Sequence, residues 1–202
     1  MTGARNKLLV LDGQGVVFDA PIRRFLANFA NDYQLSLNDI EARWESGLRE
    51  QAWRGLIDDK PLWNALAGRS VDAVQIRRRL DASYRPGPAA SYLADWSGKA
   101  QLWLLSNHRS DWLLPQLTAF AIADRFKRVL VSDKTGFIKP EIAAFDLVVQ
   151  QRVAGQSVLF VDDQRHNVLA AEALGIRGLL AVPDGGWLDH VSRWLERDDA
   201  GP

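Results

Sequence analysis

The chain has 202 residues, 47% of them hydrophobic and 25% charged, with 25 basic residues against 25 acidic ones. That composition suits a globular chain long enough for one large domain, or for a core with a modest insertion. Zero formal charge excludes an extended basic surface for nucleic acid or anionic membranes, and the lack of cysteine excludes disulfides, thiolate catalysis and cysteine-type zinc sites. No apolar run approaches the roughly 20 residues of a membrane span. The opening stretch MTGARNKLLVLDGQGVVFD meets Asp12 and Gln14 too soon for a secretory signal and lacks a small-residue cleavage site. A buried strand is expected there, in a cytoplasmic protein that works as a monomer or homodimer without a membrane or nucleic-acid partner.

Five short apolar runs end in small or polar residues: Lys7–Asp12, Ala100–Ser106, Arg128–Ser132, Ser157–Asp162 and Arg177–Val182. Their near-continuous Leu and Val content, without alternation, predicts strands covered on both faces and so a parallel sheet. Helical periods lie between the later runs. One covers Pro140 to Val149, with Pro in its first turn and Ala144, Leu147 and Val148 on one stripe. Another carries Val168, Ala171 and Leu174 and stops at Gly175. Alternating strands and helices predict an open, Rossmann-like α/β sheet, which binds ligands at the carboxyl ends of its strands. Asp12, Ser106 and Asp162 fall at those ends.

About ninety residues separate the first two strand runs, far more than a single crossover needs. The stretch between them has helical character throughout. Ser36 and Asp39 form a capping box ahead of Leu37, Ile40, Trp44 and Leu48. Asp59 and Pro61 start a second helix with Leu62, Trp63 and Leu66. Ser70 starts a third with Val71, Val74 and Leu80, and Arg85-Pro86-Gly87-Pro88 breaks the pattern. The expected organisation is a core of residues 1–16 and 87–202 with a small helical cap, residues 17–86, inserted after the first strand. Arg77-Arg78-Arg79 reads as a solvated helix face rather than a phosphate patch. Trp44, Trp53 and Trp63 read as core of the insertion, and neither Arg49 nor Arg54 is expected to contact substrate.

Several chemistries drop out. Gly13-Gln14-Gly15 lacks the third glycine of a dinucleotide fingerprint, and Pro21 with an expected loop stands where a helix should follow. There is no G-K-[ST] and no G-x-S-x-G, and His108, His166 and His190 show no metal-binding spacing. Four strand-end groups remain: Asp12, Ser106-Asn107, Lys139-Pro140 at a helix start, and Asp162-Asp163. Carboxylates brought together there repel one another unless a cation intervenes. A hard, oxygen-seeking ion such as Mg²⁺ beside Lys139 would supply it. A phosphoryl group then fits against Mg²⁺, Lys139, the Ser106 hydroxyl and backbone N–H groups, with Asp12 as nucleophile. Ser106-Asn107 could equally begin a helix, whose N-terminus would favour the same anion. Asn167 is expected to order a turn or helix start.

The succession D-x-x-G-V, L-L-S-N, K-P-E and F-V-D-D-x-x-x-N-V-x-A-A-x-x-x-G, running from Lys7 to Val182, resembles the haloacid dehalogenase superfamily. The segment Trp53–Leu66 resembles the helical cap of a branch that includes sugar-phosphate phosphatases and the phosphatase domain of soluble epoxide hydrolase. The resemblance implies an Mg²⁺-dependent phosphatase for a small phosphorylated metabolite such as a sugar phosphate. Asp12 would form an aspartyl-phosphate and also bind Mg²⁺, with the Gln14 carbonyl as a further ligand. Ser106 and Asn107 would hold phosphoryl oxygens, and Lys139 would offset their charge and that of Asp12. Asp163 would complete the metal site with help from Asp162. Most such phosphatases carry Asp where this chain has Gln14, so the general acid is missing, which matters least for a good leaving group. Carbon–halogen hydrolysis of a 2-haloacid, and a catalytically silent binding protein, are the alternatives.

Overall fold

The computed structural model describes residues 6–197, so the two ends of the expected core, residues 1–5 and 198–202, lie outside the described residues. Five strands form one parallel sheet: β1 (Lys7–Leu11), β2 (Gln101–Ser106), β3 (Phe126–Val131), β4 (Ser157–Asp162) and β5 (Arg177–Leu180). Their order is β3-β2-β1-β4-β5. Each lies on one of the apolar runs. In β1, Leu9 and Leu11 enter one buried cluster and Leu8 and Val10 enter another, which is why its sequence does not alternate. Lys7 is also buried, because its ammonium group donates to the carbonyls of Trp194 and Leu195 at 2.9 and 3.1 Å, at the end of the last helix. The chain runs outward through β2 and β3 and then returns to place β4 on the other side of β1. That switch point opens a crevice between the ends of β1 and β4.

Helices α1 (Pro21–Asp32), α2 (Leu37–Arg43), α3 (Arg49–Trp53), α4 (Asp59–Ala67), α5 (Ala73–Asp81) and α6 (Leu93–Lys99) separate β1 from β2. After β2 come α7 (Ser110–Ala119), α8 (Ser132–Thr135), α9 (Ile142–Gln151), α10 (Arg165–Ala173) and α11 (Gly186–Glu196). Among the described residues, no helix is long and apolar enough to cross a membrane.

Several local expectations are corrected. Helix α1 starts directly at Pro21, where a loop was expected; proline is favoured there because its missing N–H would have no partner in the first turn. The stripe from Leu37 to Leu48 is not one helix, since Gly47 has φ 123° and the chain kinks between α2 and α3. Asp72, not Ser70, caps α5 by accepting from Val74 N and Gln75 N, which leaves Val74 exposed and turns Ile76 and Leu80 inward. Helix α9 begins at Ile142, two residues beyond Pro140, and buries Phe145 alongside Ala144 and Val148. Arg77 of the arginine run is half-buried and ion-paired with Asp59, Asp81 and Asp111 rather than simply solvated.

The helices between β1 and β2 share one apolar cluster with β1, β2 and α7. Trp63 of α4 stacks on Trp112 of α7, with centroids 5.1 Å apart and planes at 18°. Such aromatic pairs contribute about 0.5–1.5 kcal/mol beyond area burial. Trp53 packs at 4.9 Å on His108, and its carbonyl accepts from Ser132 Oγ at 2.6 Å. His108 is fully buried between Tyr84 and the Arg109 backbone. Its Nδ1 lies 2.8 Å from Arg109 N and 3.2 Å from Arg109 O, and its Nε2 lies 2.9 Å from the Tyr84 hydroxyl.

Burial lowers His108 from 6.5 to about 4, opposed first by the hydrogen bond to the Arg109 backbone and then by the Asp133 and Asp111 charges. The unfolded chain therefore binds this proton more readily. The stability contributed is complete above pH 6.5 and is lost as pH falls towards 4, by about 2 kcal/mol between about pH 7 and about pH 5. Asp12, discussed below, acts in the opposite direction over the same range, so the test is a difference. In metal-free urea titrations, wild type should lose about 2 kcal/mol more than His108→Gln on acidification. Parallel pH profiles for the two proteins would contradict a buried neutral imidazole.

Candidate active site

β1 delivers Asp12 to the crevice, and the Asp12 N–H donates to Val161 O of β4 at 2.9 Å. The chain then makes a tight turn in which Gly13 O accepts from Val17 N at 3.0 Å and Phe18 N at 2.8 Å. Glycine is required twice in this turn. A Cβ on Gly13 would stand 2.5 Å from Ser106 Oγ, and Gly15 has φ +77° with Asp163 where its Cβ would go. No backbone hydrogen bond among the described residues uses the Gln14 carbonyl, which remains available as a ligand atom.

Lys139 is the centre of the arrangement. Its ammonium group donates to Asp12 Oδ1 at 2.7 Å and to Asp162 Oδ2 at 2.6 Å, and all three side chains are buried. Asp12 Oδ1 also accepts from Gly13 N at 2.6 Å, whereas no donor among the described residues reaches Oδ2. The backbone of Lys139 is fixed independently: Asn107 Oδ1 accepts from its N–H at 2.7 Å and Asn107 Nδ2 donates to its carbonyl at 2.8 Å. Asp162 is held in turn by Gln164 N at 2.8 Å and by Asn167 Nδ2, 3.0 and 3.1 Å from its two oxygens.

Asp12, Asp162 and Asp163 each place a carboxylate oxygen within 4.8 Å of the others. Burial is the main influence on Asp12 and, with the nearby Asp162 and Asp163 charges, raises it to about 7 although Lys139 pulls it down. Asp163 is also raised, first by burial and then by Asp162. One ammonium group therefore does not offset three acids. Oxygen donors that crowd together and hold protons too tightly fit a small divalent cation, which would displace those protons. Asp12 and Asp163, together with the Gln14 carbonyl, are the donors still available; Asp162 is occupied with Lys139 and Asn167.

A cavity of about 720 Å³ lies over this cluster. Asp12, Gln14, Asn107, Lys139 and Asp163 line it, but Ser106 and Asp162 do not. Ser106 stands behind Gly13, and its buried hydroxyl has no hydrogen-bond partner among the described residues. Neither Ser106 nor Asn107 opens a helix, since α7 begins at Ser110. Two relationships escaped the sequence. Asn107 clamps the Lys139 backbone, and Asn167 holds Asp162 from the first turn of α10; the latter was signalled only by a five-residue offset that joins a strand end to a helix start. Trp44 and Trp53 are core residues, as expected, yet both also reach the cavity wall. Arg49 lines the cavity as well, paired with Glu45, while Arg54 is occupied with Glu50 and Glu141.

Residues 93–181, from the start of α6 to just beyond β5, match the sequence model of the haloacid dehalogenase-like hydrolase family. The matched stretch, with β2 to β5, resembles the core of that hydrolase family. Asp12 precedes the matched stretch and is joined to this hydrolase core by the β1 register and the Lys139 bond. A sesquiterpene phosphatase from Aspergillus oryzae is 25% identical over 173 residues, covering 82% of this chain and 88% of its own. A HAD family enzyme from Bacteroides thetaiotaomicron superposes with TM-score 0.76 at 23% identity, covering 91% of this chain and 98% of its own. The L-2-haloacid dehalogenase of Xanthobacter autotrophicus superposes with TM-score 0.65 at 22% identity, covering 95% and 84%. These two structural likenesses show that the hydrolase shares their fold.

Proposed function

We propose that this hydrolase is an Mg²⁺-dependent phosphatase of a small phosphorylated metabolite, acting through an aspartyl-phosphate on Asp12. The observation that carries the proposal is the three-carboxylate cluster with Lys139 bridging two of its members. Support comes from the phosphatase named among the relatives, and from the Bacteroides enzyme, which was also crystallised with magnesium and inorganic phosphate. Asp12, Asp163 and the Gln14 carbonyl would hold the ion, with Asp162 behind them. Bound there, Mg²⁺ would neutralise phosphoryl charge and polarise the phosphorus–oxygen bonds.

The protein's own groups account for the rest. Lys139 holds Asp12 by Oδ1, so Oδ2 is the oxygen offered to phosphorus. Asp12 forms the new P–O bond as the ester P–O bond breaks, and the electron pair leaves with the alcohol oxygen. Water then attacks phosphorus and frees Asp12 and phosphate. The Ser106 hydroxyl lies behind Gly13 and off the cavity, so it is given no contact with the phosphoryl group. The Asn107 side chain is already used on Lys139, so its contribution is to position that residue. Gln14 gives no proton to the departing oxygen, which has to take one from water.

Hydrolysis of an aryl phosphate that requires Mg²⁺ and stops with a chelator is the expected result. Halide release from 2-chloropropionate without metal would instead establish the dehalogenase alternative, and no turnover of either would favour the silent protein. Restoring the acid by Gln14→Asp should raise kcat for alkyl phosphates by up to about 10²-fold and for aryl phosphates much less, because only poor leaving groups need the proton. Equal gains on both classes would contradict this account of Gln14.

A further inference from the structure

Lys139 reaches Asp12 and Asp162 from a loop, and that loop is tied to a distant part of the chain. Arg54 follows directly after α3 and does not line the cavity. Its guanidinium group donates to the Gly136 carbonyl at 2.9 Å and pairs with Glu141, two residues beyond Lys139. Glu141 closes a turn around Lys139-Pro140. Its Oε2 accepts from Ile138 N at 3.1 Å, and its own N–H donates to Ile138 O at 2.8 Å. Arg54 thus holds the loop on both sides of the lysine, whereas Asn107 holds only the peptide groups of Lys139 itself. The residues flanking Arg54 seat the same segment on α8: the Trp53 carbonyl accepts from Ser132 Oγ, and a Cβ on Gly55 would stand 3.1 Å from Asp133 O. Arginine suits this place because its planar fork serves a carbonyl and a carboxylate at once. The Arg54 and Glu141 side chains are 23% and 38% exposed, so their pair adds little to stability and its effect is on placement.

We propose that Arg54 is a positioning residue: through Gly136 and Glu141 it fixes the loop that aims the Lys139 ammonium group between Asp12 and Asp162. The consequence for turnover rests on the phosphatase reading, while the placement of Lys139 does not.

Arg54→Ala, Glu141→Ala and the double variant of the full chain test it. On an aryl phosphate with saturating Mg²⁺, each single variant should lose about tenfold or more in kcat, with KM changed less than about twofold. The double variant should lose no more than either single one, because both remove the same link. Glu141→Gln keeps an acceptor for Ile138 N and for Arg54, and should retain most of the activity. Lys99→Ala breaks a surface pair with Asp95 away from the cavity and should leave kcat unchanged. The lysine is read separately by ¹⁵N NMR of the metal-free protein, its Nζ signal assigned through its own side-chain carbons. Buried between two carboxylates, Lys139 should give a resolved Nζ signal that shifts or broadens in Arg54→Ala and stays in place in Lys99→Ala. In an active enzyme, unchanged kcat in Arg54→Ala or multiplied losses in the double variant would overturn the proposal. So would a wild-type Nζ signal that is absent or that Arg54→Ala leaves unmoved. A moved signal in a protein that hydrolyses no phosphate ester would sink the phosphatase reading and leave Arg54 in its role.

Discussion

Replacing Lys139 by methionine is expected to destabilise the metal-free fold by about 3–5 kcal/mol near neutral pH and to abolish turnover. Methionine approximates the length of the chain but removes the single cation between Asp12 and Asp162, both buried and both bonded to Lys139 Nζ. Burial already raises Asp12 from 3.8 to about 7 with Lys139 in place, and loss of the ammonium group raises it further. A carboxyl whose folded pKa exceeds its unfolded one costs most stability above the folded value, and the cost disappears as pH falls towards 3.8. Urea midpoints measured with a chelator, between about pH 8 and about pH 5, should show the gap to wild type narrowing on acidification. A gap below about 1 kcal/mol, or one that widens in acid, would contradict the role given to Lys139.

Asp12→Asn should separate activity from stability. The amide keeps an oxygen for Gly13 N and Lys139 Nζ, which both approach Oδ1 in the wild type. Because burial already holds the Asp12 carboxyl close to protonation at neutral pH, removing its charge should alter stability by no more than about 1 kcal/mol. The proposed nucleophile, however, is gone. Phosphatase kcat should fall by at least about 10³-fold, as measured with an aryl phosphate and saturating Mg²⁺. A variant that keeps a tenth of the activity would move the nucleophile elsewhere.

The sheet was legible because central parallel strands are covered on both faces, so β1, β2 and β4 stand out as near-continuous apolar runs. Helix ends were less legible because they depend on single residues with two possible meanings. Pro21 reads as a loop breaker or as a first helical residue, and Gly47 as a tolerated glycine or as the left-handed kink it forms. α11 was not anticipated, although Trp187, Val191, Trp194 and Leu195 recur at helical spacing and are buried on one face.

The charged groups of the candidate site could be gathered from strand ends and motif order, since a parallel sheet brings those ends to one crevice. What each polar group does with its hydrogen bonds could not. Asn107 sits beside Ser106 in sequence, yet its amide is committed to the Lys139 backbone, 32 residues away. Asp162 and Asp163 are adjacent and alike, but strand alternation buries one against Lys139 and leaves the other facing the cavity. His108, whose spacing made a metal site unlikely, is a buried residue packed between Trp53 and Tyr84.

The chemistry assigned to the crevice is tested most directly by a crystal structure of the protein grown with Mg²⁺ and trifluoroberyllate, which mimics a phosphoryl group on a carboxylate. The expected result is beryllium bonded to Asp12 Oδ2, Lys139 still on Oδ1, and a magnesium ion held by Asp12, Asp163 and the Gln14 carbonyl. A fluoride adduct elsewhere, or an ion that bypasses Asp12, would contradict it.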